Sequence, residues 1–141
     1  MMRLWSWQLL SCLPRKQLCS QWRECCCIAR NIAVNGTPNH ILVNKIMKYP
    51  PTHFAMYGKM VYDEMNRRGY HCDLSKFTQW LIFDFNALKA DDLPDEDELF
   101  HDWHNYRYAI QCYYNLQEKA DCGGLTEEEW NTFADGFWDI V

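Results

Sequence analysis

Three cations and one carboxylate fall into a pattern near the start of this chain. Lys16, Arg23 and Arg30 recur every seven residues, and Glu24 follows Arg23 directly. In a helix, seven residues are two turns, about 10 Å, so the three cations would form one basic stripe. Glu24 would sit beside that stripe, with Gln17 two turns below it on the same line. Taken alone, this spacing is most simply a solvated helix carrying a local Glu–Arg ion pair.

A second reactive group lies close by in sequence. Met1-Met2-Arg3-Leu4-Trp5 leads into the helix within a dozen residues, so the chain end can fold back onto it. An α-amine has a reference pKa of about 7.7–8.0, well below that of lysine. A useful fraction is unprotonated at neutral pH, and neighbouring cations raise that fraction. Such an amine, on Met1 or Met2, can attack a sugar carbon and form an imine, as catalytic lysines do. A carboxylate alongside, Glu24, can stabilise the cationic intermediate or move protons.

The elements that must position these groups read as mostly helical, without repeats. A first helix is expected from Pro14 to about Arg30, with an apolar stripe of Leu18, Trp22, Cys26 and Ala29. Residues 35–39 form a loop, and 40–47 fit either a strand or a short helix. Pro50-Pro51 is expected to break the chain, with Thr52 capping a second helix from His53 to Arg68. Its core stripe is Phe54, Tyr57, Val61 and Met65, and Gly69 provides a left-handed stop. Residues 80–83 read as a short buried segment and 91–98 as an acidic, solvated connector. A third helix is expected from about Glu98 to Ala120. A capping box at Thr126 and Glu129 opens a short last helix ending near Gly136. The fold class is therefore all-α: one compact domain over residues 1–141, of three main helices plus a short C-terminal one.

Composition supports a real core, since 48% of the chain is hydrophobic and 16% aromatic. Most of the rings are core filling, and a minority could stack on nucleobases. The net charge of −5 conceals an asymmetry. Residues 1–72 hold ten Lys/Arg against three Asp/Glu, and residues 73–141 hold four against sixteen. A basic front half can present a positive face to phosphate while the acidic half orients the approach.

The eight cysteines do not read as a disulfide framework. Cys25, Cys26 and Cys27 are adjacent, and no pair has Cys-x-x-Cys spacing. Cys12, Cys19 and Cys26, seven apart, fit small packing positions, and reduced thiols are expected. No cofactor or metal is called for; a thiol or zinc protein built on the Cys25–Cys27 run is a minor alternative. The apolar run from Leu4 to Leu13 is interrupted by Ser6 and Gln8, so export is not expected. No stretch approaches the roughly 20 apolar residues that span a bilayer.

Met2-Arg3-Leu4, followed by Gln17-Leu18-Cys19-Ser20-Gln21-Trp22-Arg23-Glu24, resembles the opening of the phage-type pyrimidine-dimer DNA glycosylases (endonuclease V). The likeness continues at His40-Ile41 and through Met65-Asn66-Arg67-Arg68-Gly69-Tyr70, and weakly from His104 to Lys119. Met-Arg-Leu-Trp, Leu-Pro-Arg and Trp-Arg-Glu-Cys-Cys are similar to a branch of small bacterial and phage proteins in that family. The resemblance implies a compact fold of a few helices and a bifunctional activity on ultraviolet-damaged DNA. The terminal amine would attack the anomeric carbon of the 5′ nucleotide of a dimer, break the glycosidic bond and leave an imine. β-Elimination would then cut the strand on the 3′ side. The family's glutamate falls on Glu24, its preceding arginine on Arg23, and the arginine just after the nucleophile on Arg3. The family bends DNA and expels a base opposite the lesion. Arg15, Lys16 and Arg30 are then candidate phosphate contacts by charge and position.

The chain also departs from the pattern. It opens with two methionines, so the amine belongs to Met1, or to Met2 if translation begins there. Gln17 replaces the family's histidine on the first helix and is carried as a DNA-contact candidate. Cys27 replaces a further arginine, and the segment after Glu127 is aromatic but acidic where the family is basic. The reading is a monomeric DNA repair glycosylase with AP-lyase activity on double-stranded damaged DNA, in the cytoplasm of a bacterial or phage-infected cell. The alternative is a non-catalytic nucleic-acid- or protein-binding module on the same helical scaffold.

Overall fold

The structure is a computed structural model and describes residues 3–141. It is all-α, with α1 (Arg15–Asn35), α2 (Pro51–Arg67), α3 (Ser75–Thr78), α4 (Tyr106–Asp121) and α5 (Glu127–Ile140) joined by short 3-10 turns. There is no strand among the described residues. α1 packs on α2 and α3, α4 packs on α5, and α5 also leans on the 3-10 turn Trp7–Leu9.

Local chemistry explains most of the boundaries. Pro14, whose ring fixes φ, is the N-cap of α1. α1 runs five residues beyond the expected Arg30, to Asn35, and is capped by Gly36, whose φ of 77° is the left-handed conformation a glycine supplies without strain. The buried face of α1 is Gln17, Leu18, Gln21, Trp22, Cys25, Ile28 and Ala29. Cys26, expected in that stripe, is only half-buried, and Cys25 takes the core position. Two glutamines on an otherwise apolar face are the first sign that the face does more than pack.

At α2 the diproline is not a break. Pro51 is the first helical residue, where its missing N–H costs nothing, and Pro50 rather than Thr52 is the cap. Phe54, Tyr57, Val61 and Met65 are buried as expected. Gly58 lets the Phe77 ring of α3 lie against the α2 backbone; a Cβ there would come within 2.2 Å of that ring. Glu64 closes the helix, accepting from Arg68 Nε at 2.7 Å and from Arg67. Arg68 in turn donates to the carbonyls of Leu10 and Ser11 at 3.3 and 3.2 Å, joining α2 to the N-terminal segment.

The third helix expected from Glu98 begins only at Tyr106. Phe100 is the reason. Its φ of 49° is incompatible with a right-handed helix, and the strain is offset by burying the ring completely. His53 Nδ1 accepts the Phe100 N–H at 3.2 Å and holds the bend. Asn105 then caps α4 through a 3.0 Å bond from the Tyr108 N–H. Thr126 and Glu129 form the expected capping box at 3.1 and 2.9 Å. Residues 40–48 are a turn followed by the 3-10 helix Asn44–Lys48. Residues 80–83 are not buried; Ile82 is 77% exposed and Phe77 of α3 fills the core instead.

Candidate active site at the N-terminal segment

Residues 3–6 belong to no helix and no sheet, so their backbone polar groups need partners from elsewhere. Leu4, Leu9, Leu10 and Leu13 are buried and hold the segment in the core, each side chain contributing ~1.5–3 kcal/mol. The backbone of this stretch is satisfied by side chains from three helices and one turn. Gln21 of α1 accepts the Trp5 N–H at 2.8 Å and donates to the Arg3 carbonyl at 3.0 Å. The Tyr57 hydroxyl of α2 lies 2.7 Å from the Trp5 carbonyl and 3.0 Å from Gln21 Oε1. Its single proton is donated to the closer carbonyl. Tyr108 of α4 donates to the Leu4 carbonyl at 2.6 Å. His104, in the turn before α4, accepts the Trp7 N–H on Nδ1 at 3.1 Å.

These partners are themselves fixed. Gln21 and Tyr57 are fully buried and His104 is 3% exposed. Accepting on Nδ1 requires that nitrogen to be unprotonated. Burial, helped by nearby Lys45, pushes the His104 pKa down to about 3, which keeps the ring neutral. His104 is packed among Tyr57, Phe100, Trp103 and Tyr108, with ring centroids 4.6–5.8 Å away. The N-terminal segment therefore has one position over α1, set by hydrogen bonds that burial strengthens.

Glu24 stands at the end of this arrangement. Gln21 Nε2, already bonded to the Arg3 carbonyl, lies 3.4 Å from Glu24 Oε2. Half-burial raises the Glu24 pKa above the ordinary carboxylate value; the Arg3 backbone N–H and the charges of Arg23 and Arg3 pull the other way. A carboxylate whose proton affinity is raised by burial, while cations hold its charge, is suited to proton transfer. No salt bridge joins Glu24 to Arg23 among the described residues. Arg23 is exposed and donates to Ser20 Oγ at 3.1 Å. Glu24 is thus held from the N-terminal side rather than by the ion pair its sequence neighbour suggests.

The other expected contacts divide by face. Arg15, Lys16 and Arg30 are exposed, as a phosphate contact requires. Arg15 stacks on Tyr70 at 5.0 Å and Arg30 on Trp80 at 6.0 Å, so both guanidiniums are presented on aromatic platforms. Arg3 lies over the Trp5 ring at 5.2 Å. Gln17, expected at the DNA surface, is instead 7% exposed and turned into the core, with Oε1 lacking a hydrogen-bond partner among the described residues. Being one turn before Gln21, it shares that residue's buried line rather than the basic stripe. The amine candidates Met1 and Met2 lie outside the described residues.

Gln21, Tyr57, Tyr108 and His104 were not singled out by sequence reasoning. Tyr57 read as core filler and Gln21 as one residue of a motif. The available signal was a polar residue, Gln21, at helical spacing from Leu18 and Cys25 on the buried side. All eight cysteines are free, and Cys25 and Cys112 are buried. Asp95, Asp97 and Glu98 bring carboxylate oxygens within 4.8 Å of one another, but all three are exposed acids of the connector. No helix is long and apolar enough to cross a membrane among the described residues.

A family model described as pyrimidine dimer DNA glycosylase matches residues 2–78, more than half of the chain. Comparison with curated proteins and with solved structures gives no match.

Proposed function

The chain belongs to the pyrimidine dimer DNA glycosylase family, and from that premise we propose that it cuts damaged double-stranded DNA through an imine on its terminal α-amine. The observation that supports this is the pinning of residues 3–6 over α1 beside Glu24. Arg3 is tied to Gln21 and Glu24, and either candidate amine, on Met2 or Met1, begins within two residues of it. Two extended residues reach at most ~7 Å, so the amine of whichever methionine starts the mature chain works in the neighbourhood of Glu24.

The steps follow from those groups. The unprotonated amine attacks C1′ of the 5′ nucleotide of a dimer, or of an abasic sugar. On a dimer the C1′–N bond breaks and the departing base takes up a proton; on an abasic sugar the C1′ hydroxyl leaves as water. The amine nitrogen loses one proton on bonding to C1′, and the C1′–O4′ bond then opens, with O4′ taking up a proton, to leave the cationic C=N imine. Glu24, as carboxylate, stabilises the cationic imine and accepts a proton; as carboxylic acid it returns one. Loss of a C2′ proton then expels the 3′ phosphate by β-elimination. Arg23 and Arg3 supply positive charge next to this centre, and Arg15, Lys16 and Arg30 extend it along α1 toward the phosphates.

Borohydride reduction in the presence of abasic and dimer-containing duplexes tests the reading. A covalent adduct is expected on at least one of them, with intact mass showing which methionine carries the amine. Glu24→Gln should lower strand cleavage by at least ~100-fold, the usual scale for a lost acid–base group. A protein that binds DNA without ever forming an adduct, from either start, is the non-catalytic module instead.

A further inference from the structure

Next to the pinned segment a groove of about 230 Å³ opens between the turn at residues 40–43 and the first turn of α4. Arg3, Lys45 and Arg107 line it, with Ile41 and Leu42 along one edge and Trp103 at its back. None of its lining residues is acidic, which is notable in a chain of net charge −5. Asp102 acts on Lys45 from outside the groove and is itself held by the Tyr49 hydroxyl. Arg107 lies in the first turn of α4, which carries no acidic residue there and whose dipole adds positive potential. Lys45 and Arg107 are exposed, and Lys45 sits 6.0 Å over the Trp103 ring.

We propose that this groove binds a phosphodiester of the DNA strand adjoining the nucleotide held at Glu24, with Lys45 and Arg107 as its contacts beyond Arg3. The proposal rests on the function proposed above. Arg3 links the two places, because its backbone meets Gln21 and Glu24 while its side chain lines the groove. Ile41, 84% exposed, and Leu42, 42% exposed, would cover the apolar edge of a deoxyribose next to the phosphate. Arg107 and Trp103 lie outside the stretch matched by the family model, so half of this contact comes from the otherwise acidic part of the chain. That answers how a chain with an acidic C-terminal helix holds a polyanion: the cations are gathered in a pocket, not spread along the tail.

The test is the double variant Lys45→Gln/Arg107→Gln, measured for binding to a duplex carrying a tetrahydrofuran abasic analogue across a salt series. Affinity should fall about tenfold or more, and the dependence of log affinity on log salt should lose about one phosphate's worth of slope. Adduct trapping on a true abasic duplex should persist at saturating DNA. A second variant, Lys76→Gln/Lys119→Gln, removes the same charge elsewhere and should change affinity less than threefold. Unchanged affinity and salt slope in the groove variant, with the unmodified protein still trapping DNA, overturns the groove and leaves the proposed function standing. An equal loss in the second variant overturns it too, because net charge alone then explains the effect. Competition by inorganic phosphate beyond its ionic-strength effect would make this a free-anion site and overturn the strand contact. If the unmodified protein neither binds nor traps DNA, both readings fall.

Discussion

The Tyr57 hydroxyl on α2 donates a 2.7 Å hydrogen bond to the backbone carbonyl of Trp5, fully inside the core. This one bond ties the helix behind the site to the segment that carries the chain toward Glu24. Tyr57→Phe keeps the ring packing and leaves the Trp5 carbonyl without its donor, a cost of ~1–3 kcal/mol in stability. The released segment should also lose register over α1. At saturating abasic duplex the rate of adduct formation should drop ~10-fold or more, while DNA affinity stays within about twofold, since no phosphate contact is touched. A purely structural role would leave the saturated rate unchanged once the protein is folded.

Glu24 should trade stability for chemistry. Its folded pKa is raised above 4.5 by burial. The folded state therefore holds the proton more tightly than the unfolded chain. The associated stability is fully present below the unfolded value and is lost as pH rises through the folded one. At pH 7 the ionised carboxylate destabilises the fold, and Glu24→Gln removes that penalty. The variant should melt at the same or a higher temperature than the unmodified protein at pH 7, with the difference vanishing near pH 4. A variant that melts lower at pH 7 would show that ionised Glu24 contributes net stability through its cationic neighbours.

His104 sets a pH dependence of the opposite sign. Its folded pKa of about 3 lies below the ordinary 6.5. The unfolded chain therefore binds the proton first, and stability falls as pH drops from about 6.5 toward 3, by ~1.4 kcal/mol per unit. Denaturant titrations at pH 7 and pH 5 should differ accordingly. His104→Gln should flatten that slope by about one proton, although it also lowers stability throughout by disturbing the bond from the Trp7 N–H. An unchanged slope in the variant would place the titration on another group.

Much of the scaffold was legible along the chain because local chemistry decided it. Proline at a first turn, glycine at a left-handed stop and the Thr126–Glu129 box each act within a few residues, so α1, α2 and α5 stand close to where the spacing predicts. The start of α4 was not legible. Helical periodicity runs through Glu98 to Asn105, but Phe100 gains more from burial among distant rings than from continuing a helix, and that gain exists only in the assembled core. The segment 80–83 was not legible either: Phe77 of α3 is fully buried, while Trp80 and Leu81 only pack against the edge of the core and Ile82 faces solvent.

The site shows the same division. Glu24, Arg23 and the basic residues of α1 stand out as candidates in the sequence because their relation is a helical repeat, fixed by the geometry of one element. Tertiary structure alone decided that Gln17 faces inward, that Glu24 takes its hydrogen bonds from Gln21 and the Arg3 backbone rather than from Arg23, and that Tyr57, Tyr108 and His104 hold the N-terminal backbone. Those partners lie 52 to 104 residues from the groups they bind. No short-range pattern encodes them, since they meet only when burial of Leu4 and its neighbours brings an irregular segment with unmet hydrogen bonds against three helices.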